Sequence, residues 1–124
     1  MQIDGANEDG DLPMRIDFAG EKIRLILSKE DFKQYKLMRH NEDLSSVLTT
    51  AIVVPALLEA LHAIDVADAA ELFEGLRWYR VLSNRLEALG LKDESENLTK
   101  VQKLLEFPVK RALVTARSLA EESS

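Results

Sequence analysis

The stretch Met14–Leu27, MRIDFAGEKIRLIL, decides the fold class of this chain. Every second side chain is apolar over Met14–Phe18 and again over Ile23–Leu27, and Gly20 lies between the two runs. A period of two on both sides of a short glycine-containing turn is typical of a β-hairpin. Because an isolated hairpin is only marginally stable in water, this one must pack on helices or pair with the strands of another copy.

The residues after the hairpin predict helices. Ser28 followed by Asp31 resembles a capping box, so a first helix is expected from Ser28 to the neighbourhood of His40. A second helix is expected from about Asn41, and its wide apolar face should make it the most buried helix. Pro55 lies inside it and predicts a kink, or a break with Pro55 in a new first turn.

A third helix is predicted from Asp65 or Asp68 to Leu89, because either acid can cap a helix start. Gly90 is suited to the left-handed conformation just past the end of this helix. The expected core positions of the third helix are Leu72, Leu76, Tyr79, Leu82, Leu86 and Leu89.

The fourth helical region starts near Asp93–Ser95, and Pro108 should kink or divide it near Glu106 and Phe107. Its apolar residues follow an almost unbroken repeat of three and four: Leu98, Val101, Leu105, Val109, Ala112, Leu113, Ala116 and Leu119. These patterns together predict an α+β domain, predominantly α. An N-terminal β-hairpin packs on three to four helices, with proline kinks near Pro55 and Pro108.

The composition predicts one globular domain with charged ends. The chain has 124 residues, of which 46% are apolar and 31% charged, and this length leaves no room for two full cores. Residues 1–13 are expected to form an acidic flexible tail or linker, residues 14–120 the domain, and residues 121–124 a disordered C-terminus. The net charge of −6 comes from these ends, so residues 14–120 are formally neutral.

No membrane or export signal is evident in the sequence. The longest uninterrupted apolar run, Ala51–Leu58, is far shorter than the roughly 20 residues of a spanning helix. The first thirteen residues lack the basic and apolar regions of a secretory signal. A cytoplasmic location is therefore expected.

Catalytic and metal chemistry has little support. The chain has no cysteine and two histidines, which excludes disulfides and thiolate sites. His62, Asp65 and Asp68 have a spacing that could hold a divalent cation, but the two acids are better explained as helix caps. No serine follows a glycine-flanked elbow, and the dispersed glycines form no phosphate loop. The chain is predicted to be no enzyme and to need no cofactor or metal.

Basic side chains recur at helical spacing in three places, and two of them are candidate anion contacts. These contacts are Lys29, Lys33, Lys36, Arg77 and Arg80. Basic helix faces beside aromatic rings can bind phosphate groups. Each cluster also has acids nearby in the sequence, which is typical of ordinary solvated helix faces.

The aromatic residues Phe73, Trp78 and Tyr79 are too closely spaced to face one core from a single helix. Tyr79 fits the inner stripe, so Phe73 and Trp78 should contact another element or another molecule. One interpretation is packing on the first helix or the hairpin. The other is a protein interface with aromatic anchors.

Three stretches carry a family resemblance: IVVPALLEAL at Ile52–Leu61, WYRVLSNRLEALG at Trp78–Gly90 and VQKLLEFPVKRAL at Val101–Leu113. Together they resemble a C-terminal module of uncharacterised bacterial proteins, some associated with phages or mobile elements, over about residues 14–115. The resemblance implies an accessory module of unassigned function, and it carries over no catalytic or binding residues.

The sequence therefore predicts a non-catalytic assembly or protein-interaction domain. Its partner is expected to be a second copy, forming a homodimer through the hairpin edge or the aromatic group, or another protein. The alternative is an accessory domain that binds anions or nucleic acid through its basic helix faces. No contact with a membrane is expected.

Overall fold

A small sheet precedes the helices in the computed structural model, which describes residues 1–7, 14–66 and 69–122. The strands in these residues are β1 (Gln2–Asn7), β2 (Met14–Asp17) and β3 (Arg24–Ser28), and they lie in the order β1-β3-β2. The predicted α+β fold with predominant helix is confirmed.

The predicted hairpin consists of β2 and β3, which pair antiparallel. Met14 lies opposite Leu27 and Ile16 lies opposite Leu25. Leu25 and Leu27 are buried, and the side chains that alternate with them on β3 are half-buried. This alternation is what a strand with one face on a core requires.

Strand β1 differs from the expected flexible tail over residues 1–13. It pairs in parallel with β3, and Gln2 lies opposite Arg24. The Asp4 carboxylate accepts a hydrogen bond from the Arg24 guanidinium, so one of the acids that suggested a tail instead ties β1 to β3. The remaining residues of that predicted tail, 8–13, lie outside the described residues.

The first helix, α1 (Lys29–Met38), begins as predicted and ends close to the expected place. The Ser28 hydroxyl accepts a hydrogen bond of 3.2 Å from the Asp31 backbone N–H and caps the helix. Helix α1 packs on β1 and β3. Gly5 allows this close approach, since a Cβ there would lie 2.5 Å from side-chain atoms of Phe32.

Glu42–Asp65 is one continuous helical segment of changing pitch. A 3-10 turn is followed by α2 (Ser45–Leu48), a π-helical stretch (Thr49–Val53) and α3 (Val54–Asp65). Pro55 lies in the first turn of α3 and has no N–H to give to the preceding turn. The wider π-helical turn accommodates that missing bond, so Pro55 stands at the start of a new α-helical stretch, one of the two predicted outcomes.

The predicted third helix is divided into α4 (Ala69–Phe73) and α5 (Arg77–Ala88). The hairpin turn caps the second of these helices. The Glu21 carboxylate accepts a hydrogen bond of 2.8 Å from the Arg77 backbone N–H, and the Glu21 carbonyl accepts one of 3.0 Å from the Trp78 backbone N–H. A distant acid thus caps a new helix start at Arg77.

The fourth helical region is divided at Pro108, as predicted, into α6 (Asn97–Leu104) and α7 (Pro108–Glu122). Pro108 occupies the first position of α7, where its missing N–H costs nothing. Residues 121–122 belong to α7, although a disordered end was expected from residue 121. Residues 123–124 lie outside the described residues.

The main core lies between α3, α5 and α6, and the first residue of the Ile23–Leu27 run joins it. Its members include Val54, Leu61, Trp78, Leu82, Leu86, Val101 and Leu104. The predicted core stripe of the third helix is corrected here: Trp78 is buried, whereas Leu72 and Leu89 are exposed and Tyr79 is half-buried. Because one helix ends at Phe73 and another begins at Arg77, α5 turns a different face toward the core from the one that a single long helix would turn.

Candidate functional surfaces

The fold brings the predicted aromatic interface residues, Phe73, Trp78 and Tyr79, together, but Trp78 lies inside the protein. The Trp78 ring centroid is 5.1 Å from that of Phe73 and 5.6 Å from that of Phe18. Only 6% of Trp78 is exposed, and Phe73 and Tyr79 are half-buried. Trp78 is therefore a core residue that joins α5 to the hairpin, which is the first of the two interpretations that the sequence left open.

The predicted anion contacts are all exposed and lie on two helices, α1 and α5. They are Lys29, Lys33, Lys36, Arg77 and Arg80. The three lysines lie on one side of α1 because they are spaced by four and three residues. Within the described part of the chain, no ion pair joins any of the five to an acid.

The two arginines on α5 have different surroundings. Arg77 lines a groove beside α5 together with Val81 and Arg85, which follow it at intervals of four residues. Arg80 is not part of that groove. The structure therefore separates two residues that the sequence analysis grouped together.

An apolar surface that the sequence analysis missed lies on α7. Val109, Leu113 and Ala116 recur at spacings of four and three residues, and all three are exposed, Leu113 to 67%. The sequence analysis gave these residues as part of an apolar repeat without saying what covers them, and α7 turns other side chains, including Pro108 and Thr115, toward its neighbours. The available signal was the repeat itself, which is wider than one packing partner covers.

The side of α7 that does pack lies against α2 and the π-helical stretch. The hydroxyl oxygens of Ser46 and Thr115 are 3.0 Å apart, and the Thr50 hydroxyl donates a hydrogen bond of 3.1 Å to the Pro108 carbonyl. These two contacts fix how α7 is rotated about its axis. They therefore also fix which of its apolar side chains stay exposed.

Two helix ends use the same backbone motif with different residues. After α5, Gly90 has a φ of 70°, as predicted, and the Leu91 N–H bonds the Leu86 carbonyl at 2.8 Å. After α6, Glu106 and Phe107 have φ angles of 58° and 59°. Glu106 thus occupies a left-handed position for which glycine is preferred.

Arg111 supports this turn between α6 and α7. Its guanidinium donates hydrogen bonds of 3.0 Å to the Glu106 carbonyl and 2.6 Å to the Leu105 carbonyl. Carbonyl groups at a helix end lack partners within the helix, and a cation there also interacts favourably with the helix dipole. The Arg111 side chain therefore serves the fold and is not a free cation.

The ion pair between β1 and β3 perturbs two acid–base equilibria. Hydrogen bonds from Arg24 and then from Gln2 hold the pKa of Asp4 below its ordinary value. The same contact with Asp4 raises the pKa of Arg24. Both shifts follow from stabilisation of the charged forms and mark a structural contact between strands.

Three residues, His62, Asp65 and Asp68, were considered as metal ligands, and the two acids among them as helix caps. Asp65 lies at the end of α3, not at a helix start, and its carboxylate accepts a hydrogen bond of 3.2 Å from the Asn97 amide. His62 is exposed, and Asp68 lies outside the described residues. Among residues 1–7, 14–66 and 69–122, no group of three potential ligands lies close enough to hold a metal ion.

The helical segment Glu42–Asp65 is longer and more apolar than the run Ala51–Leu58 suggested. By length and composition alone it could cross a membrane, a test that core helices of soluble proteins also pass. Only 22% of its most apolar window is buried, although α3 has four buried residues, more than any other helix in the described residues. The contacts of this segment with α6 and α7 are compatible with a soluble protein.

No known protein family, curated protein or solved structure matches this chain. The resemblance to a module of phage-associated bacterial proteins therefore stays a prediction.

Proposed function

We propose that this chain is a non-catalytic assembly domain that associates with a second copy of itself through α7. The observation that carries the proposal is the exposed stripe Val109, Leu113 and Ala116, defined here as the α7 stripe. Full burial of one leucine side chain stabilises by about 1.5–3 kcal/mol. In a symmetric dimer the Leu113 side chain of each copy is buried, so this contribution counts twice.

Two residues of the neighbouring helical segment extend the α7 stripe. Ser46 and Thr50 contact α7, and Val47 and Ala51 each follow them by one position. In an antiparallel helix pair, residues displaced in the same direction from the contact line lie on the same side. Val47 and Ala51 therefore belong on the side of the α7 stripe, which widens the apolar surface beyond a single helix face.

The charges of α7 suit a two-fold antiparallel contact. Lys110 lies near its start on the edge of the α7 stripe, and Glu121, which pairs with Arg117, lies near its end on the same edge. An isologous dimer with antiparallel α7 helices places the basic start of each helix beside the acidic end of the other. A parallel arrangement would place like charges together.

Sheet edges offer the second route to self-association that the sequence suggested. Both edges of β3 are occupied by β1 and β2, while the outer edges of those two strands pair with no other strand in the described residues. A strand edge with unpaired backbone groups can bind another copy. We favour α7 because its apolar surface, unlike a short strand edge, supplies the hydrophobic contribution.

The alternative function, binding of anions or nucleic acid, has support from α1. Lys29, Lys33 and Lys36 are exposed on one side of that helix and have no acidic partner in the described residues. Binding that depends on phosphate contacts weakens steeply as salt rises. A titration of single-stranded and duplex DNA at low salt tests this alternative, and failure to bind either would contradict it.

The proposal also includes the cellular location and the kind of parent protein that the sequence led us to expect. We place the domain in the cytoplasm and regard it as an accessory module of a bacterial or phage-related protein. Its function needs no cofactor, because assembly depends on the shape and apolar character of a surface.

Light scattering coupled to gel filtration tests the proposal with two matched variants. Leu113→Glu places a charge in the α7 stripe and should convert the dimer to a monomer. Leu37→Glu changes a leucine that is 80% exposed on α1 and should leave the dimer intact. If both variants or neither of them shift the mass, α7 is not the interface.

A further inference from the structure

A groove beside α5 has an apolar floor of a size that suits a small molecule. It lies between the start of β3 and helices α3, α5 and α6, and its volume is about 530 Å³. Ligand sites commonly measure roughly 300–1,000 Å³. Its floor includes Ile23, Leu57, Leu82 and Leu104, so the floor contributes no hydrogen-bonding side chains.

The rim of this groove is basic. Arg77, Val81 and Arg85 lie along one side of α5, and Lys22 lies on the hairpin beside them. Glu21 is the one acid among the described residues that line the groove, and its carboxylate already accepts the Arg77 backbone N–H. No ion pair within the described residues neutralises the three cations.

We propose that this groove binds a single-chain amphiphile with an anionic head group. The aliphatic chain lies on the floor residues, and a carboxylate or phosphate head group accepts hydrogen bonds from Arg77 or Arg85. Guanidinium groups suit both head groups, because their paired N–H donors match the oxygens of either anion. The excess of cations at the rim over an apolar floor is the complement of such a molecule.

A nucleic acid fits this groove less well. Arg77 and Arg85 are eight residues apart, which is about 12 Å along the helix axis. The residue between them, Val81, is apolar and 51% exposed, so a continuous phosphate backbone would meet an apolar side chain there. Trp78 is almost fully buried and offers no free ring for base stacking.

The chain contains its own reporter for this test. Trp78 is the single tryptophan, and it lines the groove. Its fluorescence can be followed while dodecanoate is added below the concentration at which micelles form, with isothermal calorimetry as a second readout. We expect saturable binding of one dodecanoate for each chain.

Three further probes separate the sources of affinity. Dodecyl phosphate shows whether the head-group preference is for carboxylate or phosphate, and binding of either supports the proposal. Dodecyl maltoside and dodecyltrimethylammonium supply the same chain with a neutral or a cationic head group. The proposal is overturned if either of these binds as tightly as dodecanoate, or if dodecanoate itself shows no saturable binding.

Matched arginine variants locate the site. One of the two single variants, Arg77→Gln or Arg85→Gln, should weaken dodecanoate binding by about tenfold, because the head group loses its charge-assisted hydrogen bond in that variant. Arg80→Gln removes the same charge from the same helix outside the groove and should leave the affinity unchanged. An equal loss in Arg80→Gln would mean that general charge, not this groove, attracts the ligand.

A groove variant and an α7 variant complete the test. Val81→Glu should abolish binding, and a thermal melt of that variant shows whether it is folded. If it is not folded, the comparison of Arg77→Gln and Arg85→Gln with Arg80→Gln decides, and no loss in either groove variant overturns the proposal. Leu113→Glu should still bind dodecanoate, so failure of the proposed dimer and failure of this site are distinguishable.

Discussion

The indole Nε1 of Trp78 donates a hydrogen bond of 2.9 Å to the carbonyl oxygen of Phe18, and the centroids of the two aromatic rings lie 5.6 Å apart. This contact joins the end of β2 to the first turn of α5. Glu21 caps the same turn from the hairpin side. The hairpin and α5 are therefore joined here by residues that lie far apart in the sequence.

Loss of the indole hydrogen bond should weaken the fold measurably. Trp78→Phe is expected to lower the free energy of unfolding by about 1 kcal/mol or more, because the Phe18 carbonyl loses its donor. Trp78→Ala should cost about 3–5 kcal/mol through the added loss of packing. Urea unfolding measures both. Tyr79→Phe is the control, since that hydroxyl makes no hydrogen bond among the described residues, and an equal loss in the control would contradict the assignment.

A residue with positive φ follows each of α5 and α6, and substitutions at these two positions should change stability in opposite directions. Gly90→Ala should destabilise by about 1 kcal/mol, because a Cβ is disfavoured at positive φ, even though it would meet no atom within 4 Å. Glu106→Gly should stabilise by about 0.5 kcal/mol, since relief of the left-handed strain exceeds the added freedom of the unfolded chain. Thermal unfolding of both variants measures the difference, and shifts of the same sign would refute the comparison.

The close approach of β1 to α1 predicts a coupled pair of substitutions. Gly5→Ala should destabilise, because the new Cβ would lie 2.5 Å from the Phe32 side chain. Phe32→Ala removes the obstacle, so Gly5→Ala should cost much less in that background. A double-mutant cycle should give a coupling of about 1 kcal/mol or more. Additive effects would mean that β1 does not pack on α1 as described.

The Asp4–Arg24 pair predicts a loss of stability in acid. The pKa of Asp4 in the folded protein lies below its ordinary value of 3.8. The contribution of Asp4 to stability is therefore fully present above that ordinary value and is lost as the pH falls through the lower folded pKa. An NMR titration should show the pKa of Asp4 rising toward 3.8 in Arg24→Gln. In Asp93→Asn, an exposed control, the pKa of Asp4 should stay unchanged.

Features encoded by neighbouring residues could be predicted from the sequence. The alternating runs predicted the hairpin, Ser28 predicted the start of α1, and Gly90 predicted where α5 ends. Each of these depends on contacts within a few residues. Pro108 likewise divided the last helical region, because its ring limits only the turn that precedes it.

Features that depend on distant residues were missed. The start of α5 depends on Glu21, more than fifty residues before it, and Gly75 was the local signal of a break that the sequence analysis did not use. β1 was interpreted as a tail because acids and glycine are typical of mobile segments. Here Asp4 pairs with Arg24 and Gly5 makes room for Phe32, two roles that only the fold reveals.

The candidate surfaces were harder to predict than the fold. The lysines of α1 were correctly expected to be exposed, but the sequence left open whether Trp78 packs on the hairpin or anchors an interface, and it did not show that Leu113 is exposed. A periodic apolar pattern indicates which side chains share a face. It does not indicate whether a neighbouring element covers that face in a single copy.

Sedimentation equilibrium of the unmodified chain tests the proposed assembly most directly. At concentrations of tens of micromolar, we predict a species of twice the chain mass of 14.0 kDa, dissociating toward single chains on dilution. A single species of 14.0 kDa throughout that range would contradict self-association and leave the apolar face of α7 without its proposed partner.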